Sequence, residues 1–259
     1  MKRIKVKDIL KTKSKKKIIC LTSYTKNFSQ ILDKYCDIIL VGDSLSMVLY
    51  GMPNTRQITI DTMILHAQTV KKHTKRSLVV FDMPFNSYKN KNLAYKNAKK
   101  VIKETKCDAI KLEGGTEIEK IIKHLTQKGI AVMGHIGLLP QKFKKFKLKG
   151  RSAEEKRKIF GDAIAVSNAG AFAIVIECVV ESLAREITKN IPIPTIGIGA
   201  SNHCDGQILV TEDMIGLTDF SPKFVKKYSN IRKIIEKSVK RYSDDVKKKK
   251  FPSTQNVYN

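Results

Sequence analysis

Short runs of apolar residues recur along the chain, and between most of them the apolar positions spread out to helical spacing. The runs cover residues 18–24, 38–43, 78–84, 109–115, 130–139, 171–179, 193–200 and 208–210. Most are continuous rather than alternating, the pattern of parallel strands buried on both faces. Helices are predicted over 28–36, 61–73, 93–104, 116–128, 153–169 and 182–188. Ser152 and Glu155 have the spacing of a capping box at one helix start, and Gly129 and Gly170 stand where helices stop. Eight strand units interleaved with helices in 259 residues predict an α/β chain folded as a (β/α)8 TIM barrel. A doubly wound open sheet would place a glycine-rich nucleotide loop after its first strand, and Tyr24-Thr25-Lys26 offers none. With no Pro-, Gly- or Ser-rich linker and no internal repeat, residues 1–242 read as one barrel domain and 243–259 as a lysine-rich tail.

Composition narrows the setting. An apolar fraction of 42% supports a real core and argues against disorder over most of the chain. Cys20, Cys36, Cys107, Cys178 and Cys204 are odd in number and never spaced as CxxC. That argues against a disulfide framework or a zinc ribbon and for a reducing, cytoplasmic compartment. No apolar stretch reaches the length of a membrane span, so no membrane partner is expected. The net charge of +26 invites a nucleic-acid reading, but the lysines are scattered over every predicted helix without interleaved aromatic residues. A solvated, lysine-rich surface is the better account, and no specific nucleic-acid partner is expected.

The acidic residues carry the chemical message. Asp43, Asp82, Glu113 and Glu177 all fall at the carboxyl ends of predicted strands, the rim on which barrels build active sites. Lys111 and Glu113 are two apart in one strand and so share a face. Any one of these acids could be a strand-end cap or a lysine's partner. Four in equivalent positions point instead to a shared cation, since several buried carboxylates are costly without one. Hard oxygen donors with few histidines suit Mg²⁺ better than zinc. His135, near another strand end, is either a substrate contact or a hydrogen-bonded structural histidine. Ser44 could donate to an anionic substrate oxygen or make a local turn bond. His66, His73 and His124 fall on helices, as packing or surface residues. The turn Gly197-Ile198-Gly199-Ala200-Ser201 could bring backbone close to a ligand, although a lone GxG says little.

The motifs as a set resemble ketopantoate hydroxymethyltransferases. They are Leu-Val-Gly-Asp-Ser-Leu (40–45), Phe-Asp-Met-Pro-Phe (81–85), Lys-Leu-Glu-Gly-Gly (111–115), Gly-His-Ile-Gly-Leu (134–138), Glu-Cys-Val (177–179), Ile-Gly-Ile-Gly-Ala (196–200) and Asp-Gly-Gln-Ile-Leu-Val (205–210). Each motif is weak alone; their order and spacing over about residues 5–240 are specific. The resemblance implies a barrel of the phosphoenolpyruvate/pyruvate type. It implies transfer of a hydroxymethyl group from methylenetetrahydrofolate to 3-methyl-2-oxobutanoate, a small 2-oxo acid, in pantothenate biosynthesis. It implies homo-oligomers, decamers among them. Carried over by position, Asp43, Asp82 and Glu113 would ligate Mg²⁺, Ser44, Asp82 and Lys111 would contact the oxo acid, and Glu177 would accept the proton; Asp43 and His135 are expected to contact the oxo acid as well. The chain departs from the family pattern in a shorter, lysine-rich segment at 142–151, in Ser46 and Ser201 where glycine is usual, and in Thr25 where an acid is common. The basic segment is expected to attract the anionic folate. Two other readings are a barrel lyase of the isocitrate lyase and phosphoenolpyruvate mutase type, whose reactive cysteine loop is not evident, and an inactive, basic, nucleic-acid-binding barrel.

Overall fold

The computed structural model describes residues 2–142 and 147–258. The strands are β1 (Ile18–Thr22), β2 (Ile38–Val41), β3 (Leu78–Asp82), β4 (Ala109–Glu113), β5 (Val132–Gly137), β6 (Ala173–Glu177), β7 (Thr195–Ile198) and β8 (Gly206–Leu209). Every neighbouring pair is parallel, and β8 closes on β1, so the sheet is a complete barrel. The helices are α1 (Val6–Leu10), α2 (Lys26–Leu32), α3 (Leu45–Val48), α4 (Ile60–Lys72), α5 (Lys91–Thr105), α6 (Glu119–Gln127), α7 (Ala153–Asn168), α8 (Glu181–Asn190), α9 (Thr211–Met214) and α10 (Ile231–Lys247). Ser152 caps α7 as its spacing with Glu155 predicts, accepting from Glu155 N at 3.1 Å. Among the described residues no helix is long and apolar enough to cross a membrane.

Pleat parity sorts the apolar residues into two cores. Ile18, Cys20, Ile38, Leu40, Leu78, Val80, Ala109, Met133, Ala173, Val175, Ile196 and Ile208 pack together inside the barrel. Their strand neighbours Ile39, Val41, Val79, Phe81, Ile110, Leu112, Val132, Ile174 and Ile176 pack outward against helix residues such as Ala67, Ala98, Ile122, Val166 and Ile187. Both faces of β2 to β6 are therefore apolar, which is why those runs read as continuous in the sequence. The runs overshoot the hydrogen-bonded strands because buried loop residues such as Met83, Leu138 and Leu139 extend them. β8 is the least legible strand. Its Gly206 packs so closely that a Cβ there would lie 2.5 Å from the Ile18 carbonyl oxygen, and an apolar side chain is excluded.

The chain divides into two compact units, residues up to 210 and residues from 211. The first holds the barrel. The second holds α9 and α10; the expected boundary between residues 242 and 243 lies inside α10. α10 has no buried residue and exposes Ile234, Ile235, Val239, Tyr242 and Val246.

Candidate functional site

The parity that points Val80, Ala109, Met133 and Val175 into the barrel continues, two residues on, to Asp82, Lys111, His135 and Glu177, and from Lys111 to Glu113. All five are buried. Strand register then sets them side by side: Asp82 pairs with Lys111, Glu113 with His135, and Gly137 with Glu177. Asp43 lies two residues beyond β2, and its backbone N–H donates to Asp82 Oδ2 at 3.3 Å. The charged residues singled out by the sequence thus gather at one end of the lumen. Ser44, half-buried at the start of α3, shares a 2.8 Å hydrogen bond with the Tyr24 hydroxyl.

Contacts inside the cluster are dense. Lys111 Nζ sits 2.6 Å from Asp82 Oδ1. His135 lies between two carboxylates, with Nδ1 3.4 Å from Glu113 Oε1 and Nε2 3.1 Å from Glu177 Oε2. Neither contact is aligned as a hydrogen bond, so the attraction is chiefly ionic. Burial opposes charge on His135, and so does Lys111, but Glu113 and Glu177 outweigh both and raise its pKa to about 9. Burial also opposes the Lys111 ammonium, and Asp82, Glu113 and Asp43 more than compensate, holding its pKa above the ordinary value. Glu113 is held below the usual carboxylate range because His135, Lys111 and the Gln141 amide outweigh its burial.

The balance fails at the aspartates. Burial and the neighbouring charges of Asp82 and Glu113 push Asp43 well above the carboxylate range, and burial raises Asp82 despite Lys111. Four carboxylates (Asp43, Asp82, Glu113, Glu177) face two cations (Lys111, His135). With all four ionised the surplus would be two negative charges, all on hard oxygen donors, which fits a divalent ion such as Mg²⁺. Among the described residues no three His, Cys, Asp or Glu side chains are already set at metal-ligand spacing around one point. Lys111 and Gln141 bond the aspartate oxygens instead.

Two residues of the cluster carried no signal in the sequence, Gln141 and Tyr88. Gln141 Nε2 donates to Asp43 Oδ2 at 2.8 Å, and its backbone N–H donates to Glu113 Oε2 at 3.1 Å. The Tyr88 hydroxyl donates to Gln141 Oε1 at 2.6 Å. Both lie in loops, where neither pleat nor helical period predicts direction; Pro140 before Gln141 is the one faint cue. The turn at 197–201 is bonded locally, with Ser201 Oγ donating to Glu181 and Gln207 Nε2 donating to the Ser201 carbonyl. His66 and His124 lie on α4 and α6, and His73 caps α4. Of the basic segment 142–151, residues 143–146 lie outside the described residues, and Lys142 is paired with Glu117.

Glycine shapes the rim at two points. Gly115, two residues after Glu113, faces Asp162 so closely that a Cβ would lie 2.0 Å from its Cγ. That approach lets Asp162 accept from Thr116 N at 2.9 Å and tie α7 to the turn that follows Glu113. Gly137 adopts φ +92°, and a Cβ there would lie 2.4 Å from the Glu177 carbonyl oxygen.

Known proteins resemble the chain in sequence and in fold. A family model described as ketopantoate hydroxymethyltransferase matches residues 3–254. The chain is 51% identical over 254 residues to a 3-methyl-2-oxobutanoate hydroxymethyltransferase of Pelagibacter ubique (strain HTCC1062), covering 98% of this chain and 99% of that one. It is 49% identical to the protein of the same name from Phenylobacterium zucineum (strain HLK1), covering 100% of this chain and 95% of the other. Among solved structures, a phosphonopyruvate hydrolase complex with oxalate and Mg²⁺ superposes with a TM-score of 0.64 at 12% identity, covering 99% of this chain and 93% of that one. A 2,3-dimethylmalate lyase of the PEP mutase/isocitrate lyase superfamily gives 0.62 at 12% identity, covering 97% and 87%. At such identities the two structures share the fold alone.

Proposed function

The chain belongs to the ketopantoate hydroxymethyltransferase family, and from that premise we propose how its charged barrel mouth carries out the transfer. The protein is a hydroxymethyltransferase that converts 3-methyl-2-oxobutanoate to 2-dehydropantoate in pantothenate biosynthesis. The family match over nearly the whole chain favours this reading over a lyase, with which only the fold is shared. The one-carbon unit comes from methylenetetrahydrofolate.

The observation that carries the site assignment is the shared lumen parity of Asp82, Lys111, Glu113, His135 and Glu177, with Asp43 bonded to Asp82. The reaction must remove a proton from the carbon beside a ketone and join that carbon to the one-carbon unit. Asp43, Asp82 and Glu113 would hold Mg²⁺, which supplies Lewis-acid stabilisation of charge developing on the oxo-acid oxygens. Lys111, buried at the same rim, adds a fixed positive charge for those oxygens. Ser44, Asp43, Asp82 and His135 line the space for the oxo acid. Glu177 takes the proton, and His135, whose Nε2 lies 3.1 Å from Glu177 Oε2, keeps its carboxylate aimed. The basic residues around 142–151 draw in the anionic folate.

The five free, buried cysteines support a cytoplasmic setting. The apolar residues exposed along α10 support assembly into a homo-oligomer, a homodecamer in our reading. The test of the reaction is product formation by the purified chain from Mg²⁺, 3-methyl-2-oxobutanoate and methylenetetrahydrofolate, lost with EDTA and restored by Mg²⁺. Turnover unchanged by Glu113→Ala would overturn the metal assignment.

A further inference from the structure

The carboxylates at the barrel mouth repel one another and come from different strands or the turn after β2, so something must hold them at fixed separation. Gln141 has the contacts to do so. It is buried in the loop after β5, and every polar atom of its side chain is used. Nε2 donates to Asp43 Oδ2 at 2.8 Å and to the Met83 carbonyl at 3.0 Å, while Oε1 accepts from the Tyr88 hydroxyl at 2.6 Å. The amide orientation follows from its partners, because the Met83 carbonyl can only accept and therefore must face the NH2 group. The Gln141 backbone N–H reaches Glu113 Oε2 at 3.1 Å, and Glu113 N–H donates back to the Tyr88 hydroxyl at 3.3 Å. The bonds close a circuit from Asp43 through Gln141 and Tyr88 to Glu113.

We propose that Gln141, aimed by Tyr88, is a positioning residue that clamps the Asp43 and Glu113 carboxylates together for the cation and oxo acid. An amide suits this task because it donates without adding charge. A lysine or arginine there would neutralise the carboxylates that bind the ion, and a glutamate would add a further repelling charge. One oxygen of Asp43 and one of Glu113 are pinned to Gln141, which fixes the direction of each carboxyl plane.

The inference rests on the proposed metal site, and the test separates the two. Mn²⁺ binding to the full-length protein without substrates is measured by calorimetry for wild type, Gln141→Leu, Gln141→Glu and Tyr88→Phe, alongside kcat and KM for the oxo acid. Loss of a partner that orients metal ligands costs about 10–100-fold in metal affinity. Gln141→Leu is expected in that range, Tyr88→Phe at its lower edge, and excess Mn²⁺ should recover kcat in both. A merely structural role would lower the melting temperature without changing Mn²⁺ affinity or its rescue of kcat. Wild-type Mn²⁺ affinity in both Gln141→Leu and Tyr88→Phe overturns the clamp and leaves the metal site standing. No Mn²⁺ binding by the wild type overturns the metal site and the clamp with it. If Gln141→Leu does not fold, Tyr88→Phe decides alone, with unchanged affinity counting against the clamp.

Discussion

Asp205 sits at the amino end of β8, on the barrel face opposite the charged cluster, and replacing it with alanine isolates what that face contributes to stability. Its carboxylate is buried and accepts from Thr195 N at 2.9 Å, Ser14 N at 2.8 Å and Lys13 Nζ at 2.9 Å. It thereby ties the segment before β1 to the start of β7. The Asp205→Ala change strands a buried backbone donor and takes the ionic partner from a mostly buried ammonium, which keeps only the Thr188 carbonyl. Breaking a buried ion pair by removing one partner costs about 3–5 kcal/mol. At about 2–4 °C per kcal/mol for a chain of this size, the melting midpoint should drop by roughly 6–20 °C. Asp205→Asn keeps one acceptor oxygen and should lose less. The pH dependence has a definite sign. Burial opposes ionisation of Asp205, but the Thr195 amide, Lys13 and the Ser14 amide outweigh it and depress its pKa in the fold. Its contribution is therefore complete above the unfolded value of about 3.9 and is lost as pH falls through the lower folded value. Calorimetric melting of wild type and Asp205→Ala from neutral to acid pH measures both effects. A drop below about 2 °C at neutral pH, or a gap that does not narrow in acid, would refute the reasoning.

Two other outcomes are expected. Glu177→Gln should lower kcat by about 10²–10⁴-fold, the usual contribution of a positioned general base, while leaving Mn²⁺ affinity near wild type; steady-state kinetics with calorimetry check both. Glu212 is buried, both its carboxylate oxygens lack a hydrogen-bond partner among the described residues, and burial, with Asp213, pushes its pKa up to about 7. A raised carboxylate pKa makes the fold lose stability as pH rises from the unfolded value toward 7, so Glu212→Gln should raise the melting midpoint at pH 8 and change it little at pH 4.

The residues that pleat alternation can place were legible in the sequence. Val80 to Asp82, Ala109 to Lys111 to Glu113, Met133 to His135 and Val175 to Glu177 each step by two along a strand, so one apolar residue in the lumen predicts the charged residue above it. The central strands β2 to β6 were legible for a related reason, because covering both faces of a strand leaves a continuous apolar run. Other features follow from strand register and loop path, which no local period encodes. Register decides that Lys111 meets Asp82 and that His135 meets Glu113. Loop path brings Gln141 to Asp43, 98 residues away in the chain, and sets Asp205 beside Lys13. Alternation is a property of the backbone one residue at a time, so the chain carries it locally; the joining of distant loops arises only when the barrel closes and their ends are forced to the same rim.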